Sequence, residues 1–92
     1  MKPILAAMRR AGITRSRFSA RFRLRDHRGY IMLQEIETPI GQIDHAWIRP
    51  GQWHGTVPRR GERIAFRASL EPYWRESGEP DVGLFKLEVI ER

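Results

Sequence analysis

The sequence predicts an all-β domain: a small five-stranded antiparallel barrel preceded by a short N-terminal helix or tail. Three observations carry that expectation. In residues 15–25, "RSRFSARFRLR", arginines occupy positions 15, 17, 21, 23 and 25, while Phe18, Ala20, Phe22 and Leu24 fill the even positions between them. Successive side chains of a strand point to opposite faces, so this spacing gives one apolar and one arginine-lined face. A helix, advancing about 100° per residue, would scatter both sets around its circumference. Four later stretches are also apolar on one side or rich in β-formers, and Gly, Pro and polar clusters separate all five. Five half-apolar strips around one core are best buried, and their edges best protected, by closing the sheet into a barrel.

Residues 3–11, "PILAAMRRA", fit a short helix with Pro3 near its start, Gly12 as its C-cap and Ile4, Leu5 and Met8 on one face. A helix this short needs docking to persist. The first strand covers 13–25, and Asp26-His27-Arg28-Gly29 is the turn into a second strand over 30–37. "TPIG" leads to a third strand over 42–48, "QIDHAWI", with Trp47 assigned to the core. "RPGQWHGTVPRRG" follows, too rich in Gly and Pro for a regular element beyond one helical turn. The fourth strand, 62–73, carries Ile64, Phe66, Ala68 and Leu70 in alternation, and "WRESGEPDVG" is a polar loop. The fifth, 84–91, places Phe85, Leu87 and Val89 on one side. Residues 1–12 are therefore read as a basic helix or tail and residues 13–92 as one domain.

Ninety-two residues suit a single domain with one modest core. The absence of cysteine excludes disulfides and thiolate metal sites and fits a reducing, cytoplasmic setting. The N-terminus lacks the apolar length of a secretory signal, and no run reaches the ~18 apolar residues of a membrane span. The net charge of +6 is uneven: residues 1–28 hold nine basic residues and one acid, +8, and residues 29–92 hold eight basic and ten acidic, −2. A basic excess at one end suggests a surface that faces a polyanion.

Five strands, with a long break between the third and fourth, match an OB-fold, with an SH3-like barrel as the competitor. The runs "IDHAWI" and "RRGERIAFRASLEPYW" resemble small bacterial OB-like domains that carry an aspartate-histidine-x-tryptophan stretch before a glycine-initiated strand ending in tyrosine. The resemblance covers about residues 30–73 and implies binding of single-stranded nucleic acid. Arg17-x-x-x-Arg21 also resembles the RxxxR element of PilZ domains, but the later Asp/Asn-x-Ser-x-x-Gly segment of that family is missing.

No catalytic motif is present, and Asp44 and His45, as strand neighbours, should point to opposite faces and form no dyad. The chain is therefore expected to be no enzyme and to need no metal or cofactor. The binding candidates are Arg15, Arg17, Arg21, Arg23 and Arg25 on the first strand, spaced about 6.8 Å at adjacent odd positions. Arginine forks donate to phosphates and stack on bases, and such contacts would be salt-dependent. Carboxylates on a neighbouring strand, Glu35 and Glu37, would neutralise part of this stripe. Trp53, Arg59, Arg60, Tyr73 and Trp74 add loop aromatics and cations of the kind that stack and hold single strands. The alternative is an adaptor that docks an acidic protein partner on the basic strand.

Overall fold

A computed structural model describes residues 3–91; residues 1 and 2 of the expected N-terminal segment and residue 92 lie outside the described residues. One helix, α1 (Pro3–Arg10), precedes six strands: β1 (Arg15–Arg25), β2 (Ile31–Thr38), β3 (Gly41–Ile48), β4 (Trp53–His54), β5 (Arg63–Trp74) and β6 (Pro80–Glu91). They form a single sheet in the order β3-β2-β1-β5-β6-β4, antiparallel except for the short parallel contact of β4 with β6.

The mostly β architecture with one short helix agrees with the sequence, but the five-stranded closed barrel does not. β3 and β6 approach each other without forming a ladder. Two features keep the sheet open. The helix touches both β3 and β6, and its Leu5 and Met8 are fully buried. The Gly/Pro-rich connection also supplies β4, a sixth strand that takes part of the outer edge of β6 through Trp53 and His54 beside Leu87 and Glu88. No described helix is long and apolar enough to cross a membrane.

The helix ends as its sequence implies. Gly12 has a φ of 86°, its N–H donates to the Arg9 carbonyl at 2.9 Å, and the Ile13 N–H donates to the Met8 carbonyl at 3.0 Å. This Schellman closure satisfies two of the last carbonyls. Apolar docking, together with the Arg9 guanidinium donating to the Leu70 carbonyl at 2.9 Å, holds so short a helix in place.

Along β1 the alternation holds from Phe18 to Phe22: Phe18, Ala20 and Phe22 are buried, Phe18 stacks on Phe66 of β5 with ring centres 5.4 Å apart, and Leu24, past a register shift, is only half-buried. Ile64, Phe66, Ala68 and Leu70 give β5 the expected inward face. The core joins these to Leu5 and Met8, to Ile31, Leu33 and Ile36 of β2, to Ile43, Ala46 and Ile48 of β3, and to Leu84 and Leu87 of β6.

Four register shifts interrupt the β1–β2 and β5–β6 ladders, and two of them re-aim core side chains. Opposite β1, β2 contains an extra residue at Glu35, whose φ is 49°, so Leu33 and Ile36, three apart, both face inward. Opposite β5, β6 contains an extra residue at Lys86, φ 51°, so Leu84 and Leu87 are both buried. A bulge re-aims the side chains that follow or precede it. Phe85, expected in the core with Leu87 and Val89, is therefore on the opposite face and half-buried, while Val89 packs at the core's margin. The Lys86 N–H that the bulge frees donates to Gln52 Oε1 at 2.9 Å.

β3 keeps its register with β2 past Glu35, so its own alternation is broken at the same level. Asp44 and His45 both stand outward between buried Ile43 and Ala46, and Asp44 Oδ2 lies 3.0 Å from His45 Nδ1. The expectation that these neighbours cannot meet is corrected by that irregularity. Trp47 is corrected too: with Ala46 and Ile48 turned inward, its ring stands outside, 45% exposed.

Candidate functional site

Beyond Ser69, where its pairing with β1 ends, β5 continues with β6 alone as a two-stranded ribbon that carries Tyr73 and Trp74 toward its tip. Pro72 is tolerated there because its side of the strand has no ladder partner to lose. The ribbon and the open edge of β3 enclose a cleft of about 420 Å³, lined by Ala46, Trp47, Arg49, Tyr73, Trp74 and Phe85 among others. Leu5 of α1 also lines it, and Arg28, Tyr30, Arg75 and Glu76 complete its rim. It lies where a closed barrel would have joined β3 to β6.

Five of its lining residues are aromatic: Tyr30, Trp47, Tyr73, Trp74 and Phe85. Tyr73 and Phe85 meet edge to face with ring centres 6.0 Å apart. Gly83 makes room for them, since a Cβ there would stand 2.9 Å from the Tyr73 ring and 3.2 Å from the Phe85 ring. Arg49 covers the pair, its guanidinium carbon 4.7 Å from the Tyr73 centre and 5.6 Å from that of Phe85. Arg28 lies 4.7 Å over Tyr30 in the same manner. Trp74, at 72% exposure, is the most open large apolar residue described.

The three cleft arginines differ in charge balance. Arg28 pairs with Asp26 at 3.3 Å, and Arg75 stands 3.9 Å from the buried Asp81. Arg49 makes no ion pair among the described residues, so its planar set of donors is held by the rings and available to an anion. Partial burial alone would raise the Asp26 carboxyl. The amides of Tyr30 and Arg28 and the Arg28 guanidinium outweigh it and hold the group below its ordinary value. Burial pushes the Tyr73 phenol up, and the charge of Asp81 and its 3.3 Å hydrogen bond with the Tyr73 hydroxyl add to the rise.

The arginine stripe of β1 has another character. Arg17 pairs with Glu91 at 3.2 Å and Arg21 with Glu35 at 3.0 Å, while Arg63, opposite Arg21 on β5, pairs with Glu37 at 3.3 Å. Arg15 donates to Ser69 Oγ and the Lys86 carbonyl, both at 3.1 Å. The stripe is thus interleaved with the carboxylates of β2 and β6. Arg23 and Arg25 are exposed and make no ion pair among the described residues. Arg59 and Arg60 are exposed in the loop before β5, away from the cleft lining.

The structure brings Tyr73 and Trp74 together in the lining of one cleft and sets Trp53 apart from it. The Trp53 ring packs edge-on against Phe22 at 6.4 Å, and its indole N–H is shielded with no acceptor among the described residues, so packing alone fixes it. Trp47, Arg49, Phe85, Arg28 and Tyr30 were not among the expected site residues. The signal for Trp47 was present: it sits between Ala46 and Ile48, and only one of the two sets can face inward. Among the described residues, no three histidine or carboxylate side chains cluster as metal ligands would. No protein-family model, curated protein or solved structure matches the chain.

Proposed function

We propose that the chain is a non-catalytic module that binds single-stranded nucleic acid, stacking bases in the aromatic cleft and drawing the backbone with the arginines around it. One observation carries this reading: Arg49 lies over Tyr73 and Phe85 without an ion pair, facing a wall that includes Trp47. Flat rings bind any base through its π face, and a guanidinium beside them serves a phosphate or extends the stack. A sheet of five long strands left open at one place supports an OB-like reading of the domain, and small partly open barrels of this kind present such surfaces.

The reading moves the interface away from the β1 stripe, whose carboxylate partners already offset much of its charge. Docking of an acidic protein would need the arginines and not the rings. Binding of mixed-sequence single strands, duplexes and heparin, followed by fluorescence anisotropy, separates these cases. Single strands should bind best, and the paired change Trp47→Ala with Trp74→Ala should weaken them while leaving heparin nearly unaffected. Equal binding of all three polyanions, insensitive to the tryptophans, would reject base stacking.

A further inference from the structure

Beside the aromatic cleft lies a second cavity of about 290 Å³, whose lining residues include Arg25, Arg28, Arg49, Gly29, Gly51 and Trp53. Three of these residues are arginines and none is acidic. Arg28 and Arg49 also line the aromatic cleft, so the two cavities share a cationic wall. Of the three arginines, only Arg28 has a carboxylate partner among the described residues, Asp26.

We infer that this cavity holds the terminal phosphate of a single strand whose end base is stacked in the aromatic cleft, an inference that rests on the function proposed above. An internal phosphodiester carries one negative charge and two free oxygens. A terminal phosphomonoester carries about −1.5 to −2 at neutral pH and three strong acceptor oxygens. Three guanidinium-bearing side chains with one carboxylate between them match the second better than the first. The shared wall fits one nucleotide, with its base on the aromatic side and its phosphate on the arginine side. The module would then recognise phosphorylated strand ends and not merely track along a chain.

The test uses the whole chain and one short mixed-sequence oligonucleotide in four forms: 5′-phosphorylated, 3′-phosphorylated, unphosphorylated and circularised. One phosphorylated end should bind about tenfold more tightly than the unphosphorylated and circular forms, the scale of one charge-assisted contact. Arg25→Gln should bring that ratio toward one, and Arg25→Lys should restore part of it. Inorganic phosphate should compete with the preferred phosphorylated form more effectively than with the unphosphorylated one. Equal affinity for all four forms, with tryptophan emission still quenched on binding, would overturn the end-recognition inference and leave base stacking standing. Absence of quenching by every form would overturn the stacking reading and this inference with it.

Discussion

The guanidinium carbon of Arg49 stands 4.7 Å from the centre of the Tyr73 ring, and Arg49 forms no ion pair among the described residues. A cation held by a ring keeps its orientation without a counter-charge, so its donors remain available to a ligand. Removing the ring should therefore damage the cation as well as the stacking surface. Tyr73→Ala is expected to weaken oligonucleotide binding by about 1–3 kcal/mol. Arg49→Lys, which keeps the charge and loses the plane, should weaken it also. Anisotropy titrations at one fixed salt concentration measure both.

The β1 stripe and the cleft make different predictions about salt. Each phosphate contact on a single strand contributes about 0.7 to the slope of log K against log salt. Arg17 and Arg21 are engaged by Glu91 and Glu35, and Arg23 is the stripe member of that trio without an ion pair. Replacing Arg17, Arg21 and Arg23 together with glutamine should thus flatten the slope by about one unit or less. A loss of about two units or more would mean that the stripe itself tracks the backbone.

Stability should separate Phe66 from Trp47. Phe66 is fully buried and stacked on Phe18, so Phe66→Ala is expected to cost about 3–5 kcal/mol, a large share of the stability of so small a domain. Trp47 stands outside the sheet, and Trp47→Ala should cost about 1 kcal/mol or less. Urea unfolding of the two variants gives the comparison directly.

Much of the architecture was legible because β1 and β5 follow the strand period without interruption on their inward faces, from Phe18 to Phe22 and from Ile64 to Leu70. The helix was legible from its apolar face and Gly12. The open sheet was not, since it depends on where α1 docks, a relation between segments distant in sequence. Phe85 was misplaced because the bulge at Lys86 carries no glycine to announce it. Among the candidate site residues, Tyr73 and Trp74 stood out as aromatics at the edge of a polar loop. Arg49 did not, because its partners Tyr73 and Phe85 reach it only through the fold.

The Lys86 bulge has its own consequence. A non-glycine residue at a φ of 51° is strained by roughly 1 kcal/mol or more. Lys86→Gly removes that strain at the expense of greater freedom in the unfolded chain and of an exposed 3.8 Å ion pair with Glu71. The variant should therefore equal or slightly exceed the parent in thermal stability, whereas glycine at a regular strand position would lower it.

The phenol of Tyr73 supplies a pH-dependent signal. Its raised value means that the neutral form is favoured in the folded protein, by burial first and then by Asp81. That stabilisation is fully present below the ordinary tyrosine range and is lost as pH rises through the higher folded value. Ultraviolet titration of the phenolate band should show a late-ionising component that is absent in Tyr73→Phe. Ionisation of the parent wholly within the free-tyrosine range would contradict the Tyr73–Asp81 contact.

Tryptophan emission tests base stacking in the cleft most directly, because two of the three tryptophans line it and the third, Trp53, packs against Phe22. A stacked base contacts the indole and should quench it, whereas a polyanion without bases should not. Titration with a mixed-sequence single strand is expected to quench the parent strongly, with heparin producing little change. The double variant Trp47→Phe with Trp74→Phe, which retains Trp53, should show almost no quenching by the same strand. Equal quenching by heparin and oligonucleotide, or undiminished quenching in the double variant, would contradict base stacking in the cleft.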